Sequence, residues 1–364
     1  FIKYFYLCLF QGYRMKSKEK VILGMSGGTD SSAAALFLQQ EGYEVVGVTF
    51  RFYEPEGDTK YLDDAQDTAH ILGIQHQIFD VRQEFEEKII SYFINEYMVG
   101  RTPVPCIVCN NSFKWPLLAR IADEKGIFYI ATGHYVRNKL YNNSNYIYTG
   151  LDRDKDQSFF LWGLRQDLLK RALFPLGRFT KSQVREFVRQ RGLLKMADKK
   201  DSLGVCFCPG DYRSFLRNRV PESSFNAGFY EDMSGHVLGK HEGYPFYTIG
   251  QRRGLGINWQ VPMYVQAIIP ETNRIKLSPL SGLYCRAMLL KAVNIVSRED
   301  FENQEVICRI RYRKQSVPCR VEWLSENQAK VSFCVPEHSI APGQAAAFYK
   351  GDRLLGGGII EQAL

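Results

Sequence analysis

The 364-residue chain lacks any long apolar run. Its longest, Phe1 to Phe10, is broken by Lys3 and falls far short of the ~18 uninterrupted residues a membrane-spanning helix needs. Nor does the first segment read as a secretory signal, because Gln-Gly-Tyr-Arg after Phe10 offers no small-residue cleavage site. Residues 1–14 precede Met15 and are expected to lie outside the fold as a non-native leader. The nine cysteines are odd in number and follow no framework spacing, which excludes a secreted disulfide scaffold. The six histidines show no metal-ligand spacing, and internal repeats and low-complexity linkers are missing. Excess acid is missing too: 47 Lys and Arg face 39 Asp and Glu, a balance that favours a polyanionic partner. These absences leave a soluble, cytoplasmic, globular chain long enough for two or three domains.

From Lys20 to about Leu194, short apolar runs alternate with helical stretches: VILGM, DSSAAALFLQQEG, EVVGVTF, DDAQDTAHILG, HQIFD, then a long helix near Phe85 to Tyr97. This alternation predicts βαβ units and a doubly wound parallel sheet. FYIATGHY adds a buried strand, and TKSQVREFVRQRGL carries a Thr180 cap and a Gly192 stop. Beyond Asp211 the text turns Gly- and Tyr-rich, which predicts a small β-rich domain over 212–283. From Tyr284, the runs VICRIRYR, VPCRVEWL, AKVSFCV, AAAFYK and LLGGGII are evenly spaced between turns, the pattern of an antiparallel barrel over 284–364. The α/β unit is expected to span 15–211.

The first strand runs into Ser26-Gly27-Gly28-Thr29-Asp30-Ser31 and then a helix. Glycines there let the backbone turn sharply and present amides at a helix N-terminus, an anion cradle. No Gly-Lys-Ser/Thr follows, so this is not a Walker A loop. SGGTDS closely resembles the PP-loop of ATP pyrophosphatases of the adenine nucleotide alpha hydrolase-like fold, which split ATP between its α and β phosphates. The resemblance implies that Gly24, Met25, Ser26, Gly27, Gly28, Thr29, Asp30 and Ser31 hold ATP, with Asp30 placing Mg2+. It further implies that Phe50 lies where adenine is held and that Gly133 completes the nucleotide site.

Two cysteine clusters admit three readings. Cysteines commonly fill cores as small hydrophobes, the reading that fits Cys285, Cys308, Cys319 and Cys334. Cys106-x-x-Cys109 with Cys206-x-Cys208 has the makings of a four-thiolate metal or iron–sulfur site, although the second spacing is short and Pro103-Val104-Pro105 is expected to aim an extended loop outward. The third reading is a redox pair, one thiol carrying a persulfide and the other resolving it, which calls for two accessible low-pKa cysteines brought together by folding.

TPVPCIVCN and KKDSLGVCF resemble the TPNPDVLCN and KKDSxGICF motifs of tRNA-specific 2-thiouridylases, the MnmA/TrmU family. Further matches run in order along the chain: TGHY at Thr132, DRDKDQSFFL at Asp152, YTIGQRRGLGI at Tyr247, RYR at Arg311 and APGQAAAFY at Ala341. The resemblance implies 2-thiolation of the wobble uridine in the tRNA anticodon loop, through an adenylated base and a Cys206 persulfide, with Cys109 as resolving nucleophile. It implies that Val104, Pro105, Cys106, His134, Lys155, Asp156, Gln157, Arg311, Tyr312 and Gln344 contact tRNA. A persulfide donor, either a cysteine desulfurase or a sulfur-relay protein, and a monomeric enzyme with no resident metal complete the expectation. The chain departs from the family at Cys106, where the pattern has Asp. Without the resemblance, His134 after a buried strand reads as structural, and Arg252 and Arg253 in GQRRGLG read either as phosphate contacts or, more commonly for a Gly-flanked basic turn, as simply exposed.

Overall fold

The computed structural model describes residues 19–54, 57–199, 204–302, 305–313 and 316–364. The expected leader over 1–14 and the Lys200–Leu203 part of the second cysteine motif lie outside these.

Five parallel strands open the chain's architecture: β1 (Lys20–Gly24), β2 (Glu44–Arg51), β3 (Gln75–Asp80), β4 (Tyr129–Ala131) and, much later, β7 (Ala172–Leu173), in the order β3-β2-β1-β4-β7. Alternation along β1 builds two cores: Val21 and Leu23 face one side and Ile22 the other. The first core packs under α1 (Thr29–Gln40), whose Ala33, Ala34 and Ala35 allow close approach, and α5 (Lys181–Gln190). Phe37 of α1 stacks between Phe179 and Phe187 at 4.4 and 4.2 Å. The expected Thr180 cap is a full capping box with Gln183, and Gly192 sits at φ 78° after the helix end. The sheet crosses over at β1 and β4, so loops at the carboxyl ends of these strands gather in one crevice.

The second core packs two long helices on the opposite face. α3 (82–98) and α4 (105–124) each contain a widened turn, Glu86–Ile90 and Cys109–Lys114. In α4 the cause is Pro116, which has no N–H to return to the preceding turn. Side chains take over the loosened carbonyls: Asn110 Nδ2 donates to the Cys106 carbonyl at 2.9 Å and Ser112 Oγ to that of Val108 at 2.7 Å. α2 (Lys60–Ile71) links β2 to β3.

The middle unit has α6 (Tyr212–Arg219) and a four-stranded sheet in the order β10-β11-β8-β9, made of β8 (Gly228–Glu231), β9 (Val237–His241), β10 (Tyr264–Ile269) and β11 (Arg274–Ser278). The last unit runs β12 (Tyr284–Ile295), β15 (Ala329–His338), β14 (Val317–Trp323), β13 (Val306–Arg309), β16 (Ala345–Lys350), β17 (Arg353–Ala363), and β12 pairs β17 to close a six-stranded antiparallel barrel. The parallel sheet, the small β domain and the barrel are the architecture expected from the pattern. Two details differ. The strand expected through VICRIRYR stops at Arg309, and Arg311–Arg313 form a turn. A hairpin from the α/β region, β5 (Val136–Tyr141) and β6 (Ser144–Thr149), extends the barrel sheet through β17. Its turn is Asn142-Asn143, both at positive φ, the conformation a two-residue hairpin loop requires.

Among the described residues, no helix is long and apolar enough to cross a membrane.

Candidate active site

The β1–α1 turn presents a helix start with no side-chain cap: Gly28 occupies the N-cap position in extended conformation, so the first-turn amides of α1 are not consumed by a side chain. The loop is held from within by Ser31 Oγ, which receives the Ser26 N–H at 3.2 Å and donates to the Gly28 carbonyl at 3.1 Å. Thr29 Oγ1 anchors to the Met196 carbonyl at 2.6 Å, and Thr49 Oγ1 to that of Met25 at 2.9 Å. Gly27 has φ 65°, and a Cβ there would sit 2.7 Å from the Ala65 nitrogen, so only glycine fits. Gly133 lies against the start of α1, where a Cβ would approach the Asp30 carbonyl carbon and oxygen to 3.0 Å. The turn therefore fits a polyphosphate: open, amide-lined and glycine-walled. Phe50 is buried, its ring tilted against Phe52 and Phe79, so it can wall a base pocket but has no free face for stacking.

Two lysines that the sequence reading passed over frame this loop. Lys181 Nζ meets both Asp30 carboxylate oxygens at 2.8 and 2.9 Å, and Tyr135 Oη donates to Asp30 Oδ1 at 2.7 Å. Asp30, expected to place Mg2+, is thus paired within the fold in this arrangement, with its side chain 36% exposed. Lys199 Nζ donates to the Gly27 carbonyl at 3.0 Å and to Asp64 Oδ2 at 2.6 Å, and that hydrogen bond holds the buried Asp64 carboxyl below its ordinary range. Lys199 begins the KKDS motif, so the segment leading to Cys206 is tied to the phosphate loop.

The Pro-x-Pro stretch does not form an outward loop. Pro105 occupies the first turn of α4, where its missing N–H costs nothing, and Cys106 and Cys109 ride the helix rather than a loop. Cys109 opens the widened turn that Lys114 closes. Cys206 sits in the tight turn between Val205 and Cys208, whose backbones bridge. Phe207 anchors that turn among Phe93, Phe215 and Phe85 at 5.1 to 5.8 Å between rings, and Cys208 is a buried core residue beside it. Cys206 itself is left exposed. All these cysteines are free thiols.

Cys206, far from Cys109 in sequence, lies within electrostatic reach of Cys109, Cys106 and Lys114. Their acidity is the reverse of that expected. Burial pushes the Cys109 thiol up to about 11, with Lys114 pulling downward. Cys206 keeps an open side, yet desolvation by the protein on its other side, then Cys109 and Cys106, push it up to about 12. Burial raises Cys106 as well. Desolvation wins over the single cation in each case. Lys114 is itself held below its ordinary range by burial, against the pull of the three thiols. His134 is buried, with Nδ1 2.6 Å from Thr132 Oγ1, and burial keeps it neutral, Lys114 adding to the effect.

The remaining residues expected to touch tRNA divide into two groups. Val104, Lys155 and Tyr312 are half-buried, and Tyr312 lies over Phe160 at 4.6 Å. Pro105 is buried. Asp156 serves the fold instead: its buried carboxylate accepts from Gly150 N, Ser158 N and Ser158 Oγ at 2.9–3.1 Å and pairs with Arg309 of the barrel at 3.3 Å. Gln157 Oε1 accepts the Tyr135 N–H at 3.0 Å, fixing the residue after His134. Gln344 Nε2 donates to the Thr102 and Pro103 carbonyls at 3.2 and 3.3 Å, clamping the barrel to the segment before Cys106. Arg311 donates to the Ser339 carbonyl at 2.8 Å. Among the described residues, no group of three or more His, Cys, Asp or Glu is arranged to hold a metal ion.

Known proteins match along the same divisions. Residues 19–210 match a family described as the tRNA methyl transferase HUP domain, 213–279 its PRC-barrel domain and 285–360 an aminomethyltransferase beta-barrel domain. A tRNA-specific 2-thiouridylase MnmA 2 from Phocaeicola vulgatus is 55% identical over 95% of this chain and 99% of its own. The MnmA 1 protein of Bacteroides fragilis is 54% identical over 95% and 98%, and the MnmA of Carboxydothermus hydrogenoformans 42% over 95% and 99%. Among solved structures, a 4-thiouridine synthetase in complex with RNA and bound ATP aligns with TM-score 0.40 and 19% identity over 56% of this chain and 51% of that one, too partial a likeness to carry an argument. With a 55% identical relative covered almost from end to end, the chain belongs to the tRNA-specific 2-thiouridylase family.

Proposed function

We propose that this protein replaces the 2-oxygen of the wobble uridine of tRNA with sulfur, using ATP. The observation that carries the reading is that Cys206 lies within electrostatic reach of Cys109, on a segment whose Lys199 bonds to the nucleotide loop. Binding alone would need no such pair of thiols.

The uracil oxygen is a poor leaving group and must be activated first. Amides at the α1 N-terminus, with Ser26 and Gly28 around them, would hold the ATP phosphates and stabilise charge as the oxygen attacks the α-phosphate and pyrophosphate leaves. Magnesium would arrive with the nucleotide and neutralise phosphate charge. Cys206, open to solvent, receives sulfur from an outside donor as a persulfide. Its terminal sulfur bonds to C2 of the base, AMP departs with the oxygen, and Cys109 attacks Cys206 Sγ, breaking the S–S bond and leaving the thiocarbonyl. A Cys109–Cys206 disulfide remains, to be reduced by cellular thiols. A thiol of high pKa suits this order: Cys109 rests protonated, and Lys114 is the cation present to stabilise its thiolate. The loop base must leave its stack to enter, which costs least in an unpaired anticodon loop. We further propose that the enzyme works as a cytoplasmic monomer on one tRNA.

The test is incubation of the protein with unmodified tRNA transcript, α-labelled ATP, magnesium and a persulfide donor. The reading requires 2-thiouridine at the wobble position with AMP and pyrophosphate in equal amount. Release of ADP, or sulfur at another base, would overturn it.

A further inference from the structure

The middle domain carries one segment that the site above does not use. Gly250 N donates to the Val265 carbonyl at 2.8 Å and Val265 N to that of Gln251 at 2.9 Å, closing the neck of a loop over 252–264. Leu255 and Met263 are buried and pin the loop to the domain, and Ile257 rests near Gly239 of β9. The side chains left outside are Arg252, Arg253, Asn258, Trp259, Gln260, Val261 and Pro262. Compact loops closed at the neck are frequently functional.

Three features select an occupant. Residues 251–264 contain two arginines and no acidic residue, and neither Arg252 nor Arg253 is in an ion pair among the described residues. Of the four tryptophans, Trp259 alone is exposed, at 53%, whereas Trp115 and Trp162 are buried and Trp323 is half-buried. The loop also starts where the barrel meets the domain: a Cβ on Gly250 would lie 3.7 Å from Arg311 Nη2, and one on Gly254 3.8 Å from Arg213 Nη1. Arg311 and Arg213 thus border the start of the loop that carries Arg252, Arg253 and, further along, Trp259. Arginines outside any ion pair and an exposed aromatic on one loop match a polyphosphate backbone with accessible bases.

We infer that the loop over 252–264 is a second RNA-contact surface, in which Arg252 and Arg253 bind phosphates of the tRNA body outside the target base and Trp259 stacks on an unpaired base. The inference rests on the tRNA reading above. Its role is affinity and orientation, so chemistry on bound substrate stays intact without it.

The experiment measures binding of full-length unmodified tRNA transcript to the whole protein by filter retention over a salt series, and 2-thiouridine formation at saturating tRNA. Arg252→Gln with Arg253→Gln should flatten the log–log salt dependence by about 1.5, the share of two phosphate contacts. Trp259→Leu should weaken binding about tenfold, Trp259→Phe should largely restore it, and tRNA should quench Trp259 fluorescence. Turnover at saturation should be unchanged in all three. Equal affinity and salt slope in variants and wild type would overturn the inference, as would loss of sulfur delivery from a persulfide-carrying protein with tRNA binding unaltered, which would make the loop a protein-docking surface. Wild-type protein that neither binds nor thiolates tRNA would instead sink the reading on which the inference rests.

Discussion

Removing the charge of Lys114 tests the electrostatics of the thiol cluster. Cys109 is pushed up to about 11, so at pH 7 about one molecule in ten thousand carries the thiolate. Lys114 opposes that rise, and an opposite charge at close range is worth about 1–3 pKa units. The low end applies, since Cys106 and Cys206 share the same ammonium. Lys114→Met should therefore raise the Cys109 pKa by about one unit and cut the thiolate population about tenfold below that pKa. A more basic thiolate is also more nucleophilic, with a Brønsted slope of about 0.4–0.5, which returns about threefold. The net expectation is alkylation of Cys109 by iodoacetamide slowed about threefold at pH 8, followed peptide by peptide, with the pH profile displaced upward. Lys114→Arg keeps the charge and should stay near wild type. An unchanged or faster rate in Lys114→Met would refute the assignment of Lys114 as the cation that supports the thiolate.

Asp30→Asn leaves Lys181, a side chain only 10% exposed, without its carboxylate, and should cost about 2 kcal/mol in urea unfolding, between the values for surface and buried pairs. A loss under about 0.5 kcal/mol would mean the pair is idle. If Asp30 instead ligated magnesium, the defect would lie in the metal dependence of activity and not in stability. Gln344→Ala frees the Thr102 and Pro103 carbonyls and should raise KM for tRNA while ATP affinity, read by equilibrium dialysis, stays constant. Equal effects on both substrates would show general unfolding rather than loss of a local clamp.

The phosphate loop was legible in the sequence because its chemistry is backbone chemistry: glycines fixed in order after a strand leave few alternatives, and Gly27 at φ 65° is the position that only glycine fills. Thr180 and Gly192 were equally readable, since caps are local. The helix at Pro105 was misread because Pro-x-Pro suggests extension, whereas a proline in a first helical turn loses no hydrogen bond. The β5–β6 hairpin carried a usable signal in Asn142-Asn143, but its partner β17 lies some two hundred residues on, a pairing that periodicity does not reveal. Lys114 and Asp156 show the limit most clearly. A lone lysine on a helix and an aspartate in a polar loop read as solvated, and only tertiary packing turns one toward three thiols and the other toward Arg309. The acidity of the cysteines could not be read either, because burial decides it.

The central claim is the division of labour between two cysteines. Its most direct test is sulfur transfer to unmodified tRNA by wild type, Cys109→Ser, Cys206→Ser and Cys106→Ser, with ATP and a persulfide donor, under anaerobic conditions. The account predicts loss of 2-thiouridine in the first two variants, tRNA trapped through a sulfur bridge from Cys206 to C2 in Cys109→Ser, and activity kept in Cys106→Ser. Activity that needs Cys106 as much as the others and follows bound iron or zinc would contradict it.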